Sequence, residues 1–319
     1  MKNLVYVLFA LLVLSCTNSV SEIISSEEND VITETSLVIL GTIQDAGSPH
    51  IACKKACCAG LFNSPDSLRK VVSLGLIDPN NNKSFLFEAT PDITTQTKKL
   101  KQLADNNNEL PDGIFVTHAH IGHYSGLMYL GKEATNAPSV PVYAMPRMKT
   151  FLETNGPWSQ LVNNSNIALL QLQNNEEVVL TSNITVTPFL VPHRDEFSET
   201  VGYKIQGPNK AALFIPDIDK WEKWETNISE AIKKVDYAFV DATFYDGEEI
   251  NTRDISEIPH PFIIESMSLL ENLPSEEKKK LFFIHFNHTN PVIDPTSEAF
   301  NQVLKNGFNI ARINTVIKL

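Results

Sequence analysis

The chain has 319 residues, of which 42% are hydrophobic and 20% charged, enough apolar material for a large core with an ordinary charge content for a folded protein. Its formal charge of −12 argues against a nucleic-acid surface, because phosphate binding relies on clustered lysine and arginine. No linker-like stretch follows residue 37, so one large domain is expected over residues 37–319 rather than two average ones.

The N-terminus differs in kind from the rest. Lys2 precedes the apolar run from Leu4 to Leu14, which is too short to span a bilayer comfortably and has the charge-then-apolar layout of a secretory signal. Residues 1–15 are therefore read as a signal peptide. Val13-Leu14-Ser15-Cys16 resembles the bacterial lipobox, in which the cysteine is lipidated and becomes the new N-terminus. An uncleaved anchor with an ordinary cysteine is the alternative. Residues 16–36, rich in Ser, Glu, Asn and Thr, are expected to form a flexible tether between Cys16 and the folded domain. The expectation is an exported bacterial lipoprotein, facing the periplasm or anchored in the outer membrane, with the membrane as partner through Cys16. Removal of residues 1–15 deletes Lys2 and no acid, taking the charge from −12 to −13.

From residue 37 onward, strand and helix signals alternate. β-branched and aromatic enrichment predicts strands at 37–44, 83–89, 113–117, 184–191, 211–216, 237–243, 281–286 and 311–318. Helices are predicted at 92–105, 124–132, 146–154, 226–234, 263–271 and 295–305, the last starting at Asp294-Pro295 and stopping at Gly307. This order suits an α/β (α+β) fold of two mixed sheets packed face to face with helices outside, a four-layer αββα sandwich.

Where these strands end carries the chemistry. Gly113-Ile114-Phe115-Val116 runs into Thr117-His118-Ala119-His120-Ile121-Gly122-His123, three imidazoles within six positions. In extended backbone, residues two apart share a face, so His118 and His120 can grip one ion while His123 approaches beyond a glycine-permitted bend. Three nitrogens and an open fourth position describe a catalytic zinc. Later apolar runs also stop at a potential ligand: 184–192 at His193, 211–216 at Asp217 and 281–284 at His285. If these strands lie parallel, their ends share one sheet edge, where ligands and substrate collect.

This pattern resembles that of the metallo-β-lactamase-fold hydrolases, whose mark is His-x-His-x-Asp-His followed by a distant His, a distant Asp and a late His. Here His118, His120, His123, His193, Asp217 and His285 match it, from about residue 37 to the C-terminus. Within the superfamily, Leu40-Gly41-Thr42-Ile43-Gln44-Asp45-Ala46-Gly47, the nearby cysteines and His285-Phe286-Asn287-His288-Thr289-Asn290-Pro291 look most like the branch containing pyrroloquinoline-quinone biosynthesis protein B. The resemblance implies that His118, His120 and His193 hold a first zinc and that His123, Asp217 and His285 hold or border a second. Asp217 or His123 would then orient water and accept its proton, since zinc lowers the pKa of bound water to about 7.

One departure matters: the family's aspartate is Gly122 here. Either the site works with one zinc, or a substitute such as Asp45, His50 or His288 completes the second position. The relatives also carry a cysteine cluster that binds structural zinc. Cys53, Cys57 and Cys58, with His50 three positions upstream, could supply a Cys3His set; one disulfide with a spare thiol, or three inert buried cysteines, are the alternatives.

Asp241 could brace an imidazole or cap a turn. His260, between Pro259 and Pro261, reads as a solvated loop residue or one presented to substrate. His288 could also line the pocket or brace a loop, and Trp221 and Trp224 could wall the cleft or pack on the core. The expected function is that of an exported zinc hydrolase in which metal-bound hydroxide attacks an ester-, lactone- or amide-like bond of a small molecule. The alternatives are an iron-dependent oxidative enzyme related to quinone-cofactor biosynthesis, for which histidine and carboxylate ligands also serve, and a non-catalytic metal-binding lipoprotein.

Overall fold

Side chains alternate along the strands, and here both sets are apolar. In the computed structural model, which describes residues 23–25, 31–250 and 258–319, Leu37, Ile39, Leu74, Leu76, Phe85 and Phe87 fill one buried cluster. Their neighbours Val38, Leu40, Ile77 and Leu86 fill another on the opposite face. A strand buried on both faces lies in the middle of a layered structure.

Among the described residues, one sheet runs in the order Ile23–Ser25, Thr315–Lys318, Ser36–Gly41, Ser73–Asp78, Lys83–Phe87, Gly113–Phe115, Val140–Ala144 and Ile167–Gln171. The other runs Asn309–Ile310, Leu281–Ile284, Tyr237–Asp241, Ala211–Ile215, Val201–Gln206, Thr185–Leu190 and Val178–Val179. The inner faces meet through Phe87, Phe115, Tyr203, Phe214, Phe239 and Phe282. Helices Ile93–Ala104 and Pro146–Thr154 cover the outside of the first sheet with Leu100, Leu103, Met148 and Leu152. Helices Ile228–Lys233, Ile263–Leu269 and Glu298–Lys305 cover the second with Ile232, Ile263 and Val303. This is the expected αββα sandwich of two mixed sheets.

Direction places the site. Ala211–Ile215, Tyr237–Asp241 and Leu281–Ile284 are mutually parallel, and Thr185–Leu190 shares their sense because it is antiparallel to Val201–Gln206, itself antiparallel to Ala211–Ile215. In the first sheet Lys83–Phe87 and Gly113–Phe115 are parallel. The chain therefore leaves each of these strands at a common edge, just before His118, His193, Asp217 and His285.

The structure also corrects several expectations. Strands at Ser73–Asp78, Val140–Ala144, Ile167–Gln171 and Val201–Gln206 were masked in the sequence by Gly75, Pro141 and mixed polarity. Gly75 is small because the Leu100 side chain presses on it, 2.7 Å from where a Cβ would stand. The predicted helix 124–132 is a short helix Ile121–Tyr124 followed by a 3-10 stretch Ser125–Leu130. The last helix begins at Glu298, not at Pro295, because the Ser297 hydroxyl caps it by accepting from the Phe300 N–H, while Asp294 closes a turn with Thr296. The signal segment and Cys16 lie outside the described residues. Part of the expected tether joins the fold: Ile23–Ser25 pairs with Thr315–Ile317, Ile32 is buried, and its N–H donates to Leu103 O.

Segment 198–203 of the second sheet latches the histidine corner of the first. The buried Tyr203 hydroxyl donates to Val116 O at 2.6 Å, Val201 N–H donates to Thr117 O, and Ala119 N–H donates to Ser198 Oγ. Tyr203→Phe leaves Val116 O without that donor and is expected to cost roughly 1–2 kcal/mol, read as a lower urea midpoint. An unchanged midpoint would remove the latch from this account.

Candidate metal centre

The corner after Gly113–Phe115 brings the His118, His120 and His193 rings to centroid separations of 4.5, 5.3 and 4.9 Å. Their inward nitrogens face one another: His118 Nε2 lies 2.9 Å from His120 Nδ1, and His193 Nε2 lies 3.3 Å from the same atom. Asp217 Oδ2 joins them, 3.3 Å from His118 Nε2, 3.3 Å from His193 Nε2 and 3.9 Å from His120 Nδ1. Four atoms at the corners of a tetrahedron with zinc–nitrogen bonds of 2.0–2.1 Å stand about 3.3 Å apart. The spacing fits one cation of that size.

The other nitrogen of each ring also faces a polar group, which orients the ring. Thr117 Oγ1 donates to the buried Glu88 carboxylate and so is left to accept from His118 Nδ1 at 2.8 Å, freeing His118 Nε2 to point inward. His193 Nδ1 faces Asp219 Oδ1 at 3.2 Å, and His120 Nε2 faces Glu196 Oε2 at 3.5 Å. Burial, followed by the His123 charge, pulls His118 well below its ordinary pKa. Burial also opposes charge on His193, yet Asp217 and Asp219 lift it to about 9.

A second set meets at the same carboxylate. His123, Asp217 and His285 converge, with His123 Nε2 at 3.9 Å from Asp217 Oδ2 and the two rings 5.4 Å apart. His123 and His285 are fully buried, and neither Nε2 has a hydrogen-bond partner. A buried nitrogen left without a partner is costly unless a cation uses it. The far nitrogens are again tended: His285 Nδ1 donates to Thr243 Oγ1 at 2.9 Å, and His123 Nδ1 lies 3.3 Å from Glu88 Oε1, close but not aligned for a hydrogen bond. Asp217 Oδ2 thus belongs to both clusters, and Oδ1 lies 3.1 Å from His260 Nδ1. Asp217 Oδ1 has no hydrogen-bond partner there, and the carboxylate as a whole stands between the two sets of rings.

Two supporting groups, Glu88 and Asp219, are not singled out in the sequence, and a third, His260, lies elsewhere than expected. Glu88 ends the run Phe85-Leu86-Phe87 just as Asp217 ends its own strand, so the same rule would have found it. Asp219 is two positions beyond Asp217. His260 is a correction: instead of being solvated it is buried, donating through Nδ1 to Asp241 Oδ2 at 2.9 Å. Burial works against its charge, but Asp241 and Asp217 raise it to about 10. Burial in turn would raise Asp217, and the His193 and His260 charges hold it well below the usual carboxylate range. Asp241 Oδ1 also accepts from the Thr243 hydroxyl that tends His285. Trp221 and Trp224 stand apart from the metal ligands. Trp221 packs in the core and donates to Ser266 Oγ, while Trp224 and Phe189 line a cavity of about 610 Å³ that no metal ligand borders.

The cysteines form a separate cluster whose imidazole is His288, not His50. His288 Nδ1 lies 3.7, 3.4 and 3.4 Å from the Sγ atoms of Cys53, Cys57 and Cys58. His50 Nδ1 is engaged by Ile51 O at 2.8 Å, and its ring lies tilted against His288 with centroids 4.6 Å apart. The sequence missed this because His288 is more than 200 positions away along the chain and is delivered by the turn after His285. Cys57 and Cys58 sulfurs stand 3.9 Å apart, far from a bonded distance of about 2.05 Å. Zinc–sulfur bonds of about 2.3 Å would place such atoms roughly 3.6–3.8 Å apart, so this set also fits a zinc.

Comparison with known proteins bears on the family and the fold. The profile of the beta-lactamase superfamily domain matches residues 83–286. Coenzyme PQQ synthesis protein B of Pseudomonas savastanoi is 22% identical over 299 residues, covering 86% of this chain and 96% of that protein. The crystal structure of Zn(2+)-bound PqqB from Methylobacterium extorquens superposes with a TM-score of 0.73 at 21% identity, covering 89% of this chain and all of the other. A diphosphatase of the PhnP family superposes at 0.61 with 22% identity, covering 89% and 96%.

A carboxylate shared by two clusters has a measurable consequence. Asp217→Ala should weaken zinc binding at both positions, by more than the 10–100-fold typical of an outer partner, whereas His285→Ala should empty one position only. Elemental analysis of the two variants after dialysis decides it: equal losses would contradict sharing.

Proposed function

This chain belongs to the beta-lactamase superfamily, and on that footing we propose that it is a zinc-dependent hydrolase of an ester-, lactone- or amide-like bond in a small molecule. The observation that carries the reading is the convergence of five imidazoles on Asp217, with the far nitrogens of His118, His193 and His285 facing Thr117, Asp219 and Thr243. His118, His120, His193 and Asp217 would hold the first zinc, and His123, Asp217 and His285 the second. When bound, zinc supplies a Lewis acid and lowers the pKa of water to about 7. The protein's own share is positional. Thr117, Glu88, Asp219 and Thr243 orient the rings, and His260 with Asp241 keeps Asp217 ionised. Glu196, half exposed beside His120, marks the side open to solvent.

The net charge of −12 favours a small substrate over a nucleic acid. Turnover of chromogenic esters, lactones and phosphodiesters, measured before and after zinc removal, tests the proposal. Zinc-dependent hydrolysis that disappears in His118→Ala is expected, and activity indifferent to zinc would overturn it. A second reading has the Coenzyme PQQ synthesis protein B relatives in its favour: a metal-dependent oxidative enzyme using iron on the same ligand face. Stoichiometric iron after anaerobic purification, with oxygen-dependent product formation, would select it.

We also propose export and lipid anchoring at Cys16, supported by the charged and apolar layout of residues 2–16. Cys16→Ala should move the protein from the membrane fraction to the soluble fraction; unchanged partitioning would refute the anchor.

A further inference from the structure

Three residues were candidates to replace the carboxylate that Gly122 lacks, and the structure removes two of them. His288 sits among the cysteine sulfurs and the His50 ring packs against it, so neither serves the second position. Asp45 is differently placed. A Cβ built on Gly122 would lie 2.0 Å from Asp45 Cβ, 2.2 Å from Asp45 Cα and 2.8 Å from Asp45 O. Residue 45 therefore stands in the volume that a side chain at 122 would fill. Gly122 is required there because the contact is with backbone, which cannot swing aside.

The loop that carries Asp45 is fixed beside a ligand. Ile43 bridges to Phe286, Gln44 N–H donates to Phe286 O at 2.8 Å, Phe286 N–H donates to Thr42 O at 2.8 Å, and Phe286 follows His285 directly. Next to it, His123 Nε2 and His285 Nε2 are buried without partners. With Asp217 they give three ligand atoms, one short of a tetrahedral set.

We propose that Asp45, reaching in from the loop after strand Ser36–Gly41, supplies the missing carboxylate of the second metal position. The histidine corner then delivers imidazoles only, and the anionic ligand comes from a different part of the chain. Its oxygens do not join the tight His123, Asp217 and His285 cluster, so ligation turns the side chain inward when the cation arrives. The inference rests on the metal-centre reading but not on hydrolysis, since it concerns occupancy alone.

The test is zinc stoichiometry and affinity of the full chain, by elemental analysis and competition with a chelating dye, for the parent, Asp45→Asn, His285→Ala and the double variant. Asp45→Asn keeps the shape of the side chain, and its unfolding midpoint in chelator controls for folding. One zinc fewer per chain than the parent, or an affinity for the weakest ion lowered roughly tenfold or more, is expected. The double variant should lose no more ions than either single one, because both empty the same position. Parent-like count and affinity in Asp45→Asn, a second ion lost in the double variant, or a parent with one active-centre ion would each overturn the proposal. A parent with its full zinc complement and no hydrolytic turnover would instead count against the hydrolase reading and leave this proposal standing.

Discussion

The organising constraint of this molecule is that imidazole has two nitrogens and only one can face a cation. Three rings are held from the far side, His118 by Thr117, His193 by Asp219 and His285 by Thr243, which turns the other nitrogen of each toward the centre. Those partners must be buried and oriented in turn, which is what places Glu88 and Asp241 at strand ends with almost no exposure. Asp217 then joins the two sets of rings. Take the cation away and polar ring atoms are left crowded around one carboxylate, an arrangement that is costly to bury uncompensated.

Much of this was legible in the order of residues because strands ending at one edge must deposit their next residue there. His118, His193, Asp217 and His285 follow apolar runs, and the parallel sense of those runs does the rest. The four-layer arrangement was legible for a related reason: Leu37, Val38, Ile39 and Leu40 are all apolar, and only a strand sandwiched on both sides tolerates that. What stayed hidden depends on contacts across long separations. His260 looks like an exposed loop residue between two prolines, and only Asp217 and Asp241, from other strands, make it a buried cation. Gly122 reads as a loss until the backbone of residue 45 is seen in its place. Short strands such as Ser73–Asp78 and Val140–Ala144 were missed because a glycine or a proline interrupts a pattern that neighbouring strands restore.

The cysteine cluster and the metal centre are neighbours through one short stretch. His285 belongs to the centre, Phe286 is stitched to residues 42–44, and His288 enters the thiol set. The N-terminal loop from Thr42 to Cys58 is thus gripped at both ends by residues 285–288, more than 200 positions away. A cation on Cys53, Cys57, Cys58 and His288 would act as a staple for the loop that carries Asp45, a structural task apart from any chemistry next door.

Glu88 and His285 each adopt left-handed backbone, with φ of 75° and 69°. For residues bearing a Cβ, such a conformation costs about 1–3 kcal/mol, and glycine would be more comfortable at both places. Selection for heat resistance alone would favour glycine at 88 and 285, and in doing so would erase a proton holder and a ligand. Robustness and competence are thus opposed at two defined positions, and thermal hardening of this scaffold has to be sought elsewhere on it.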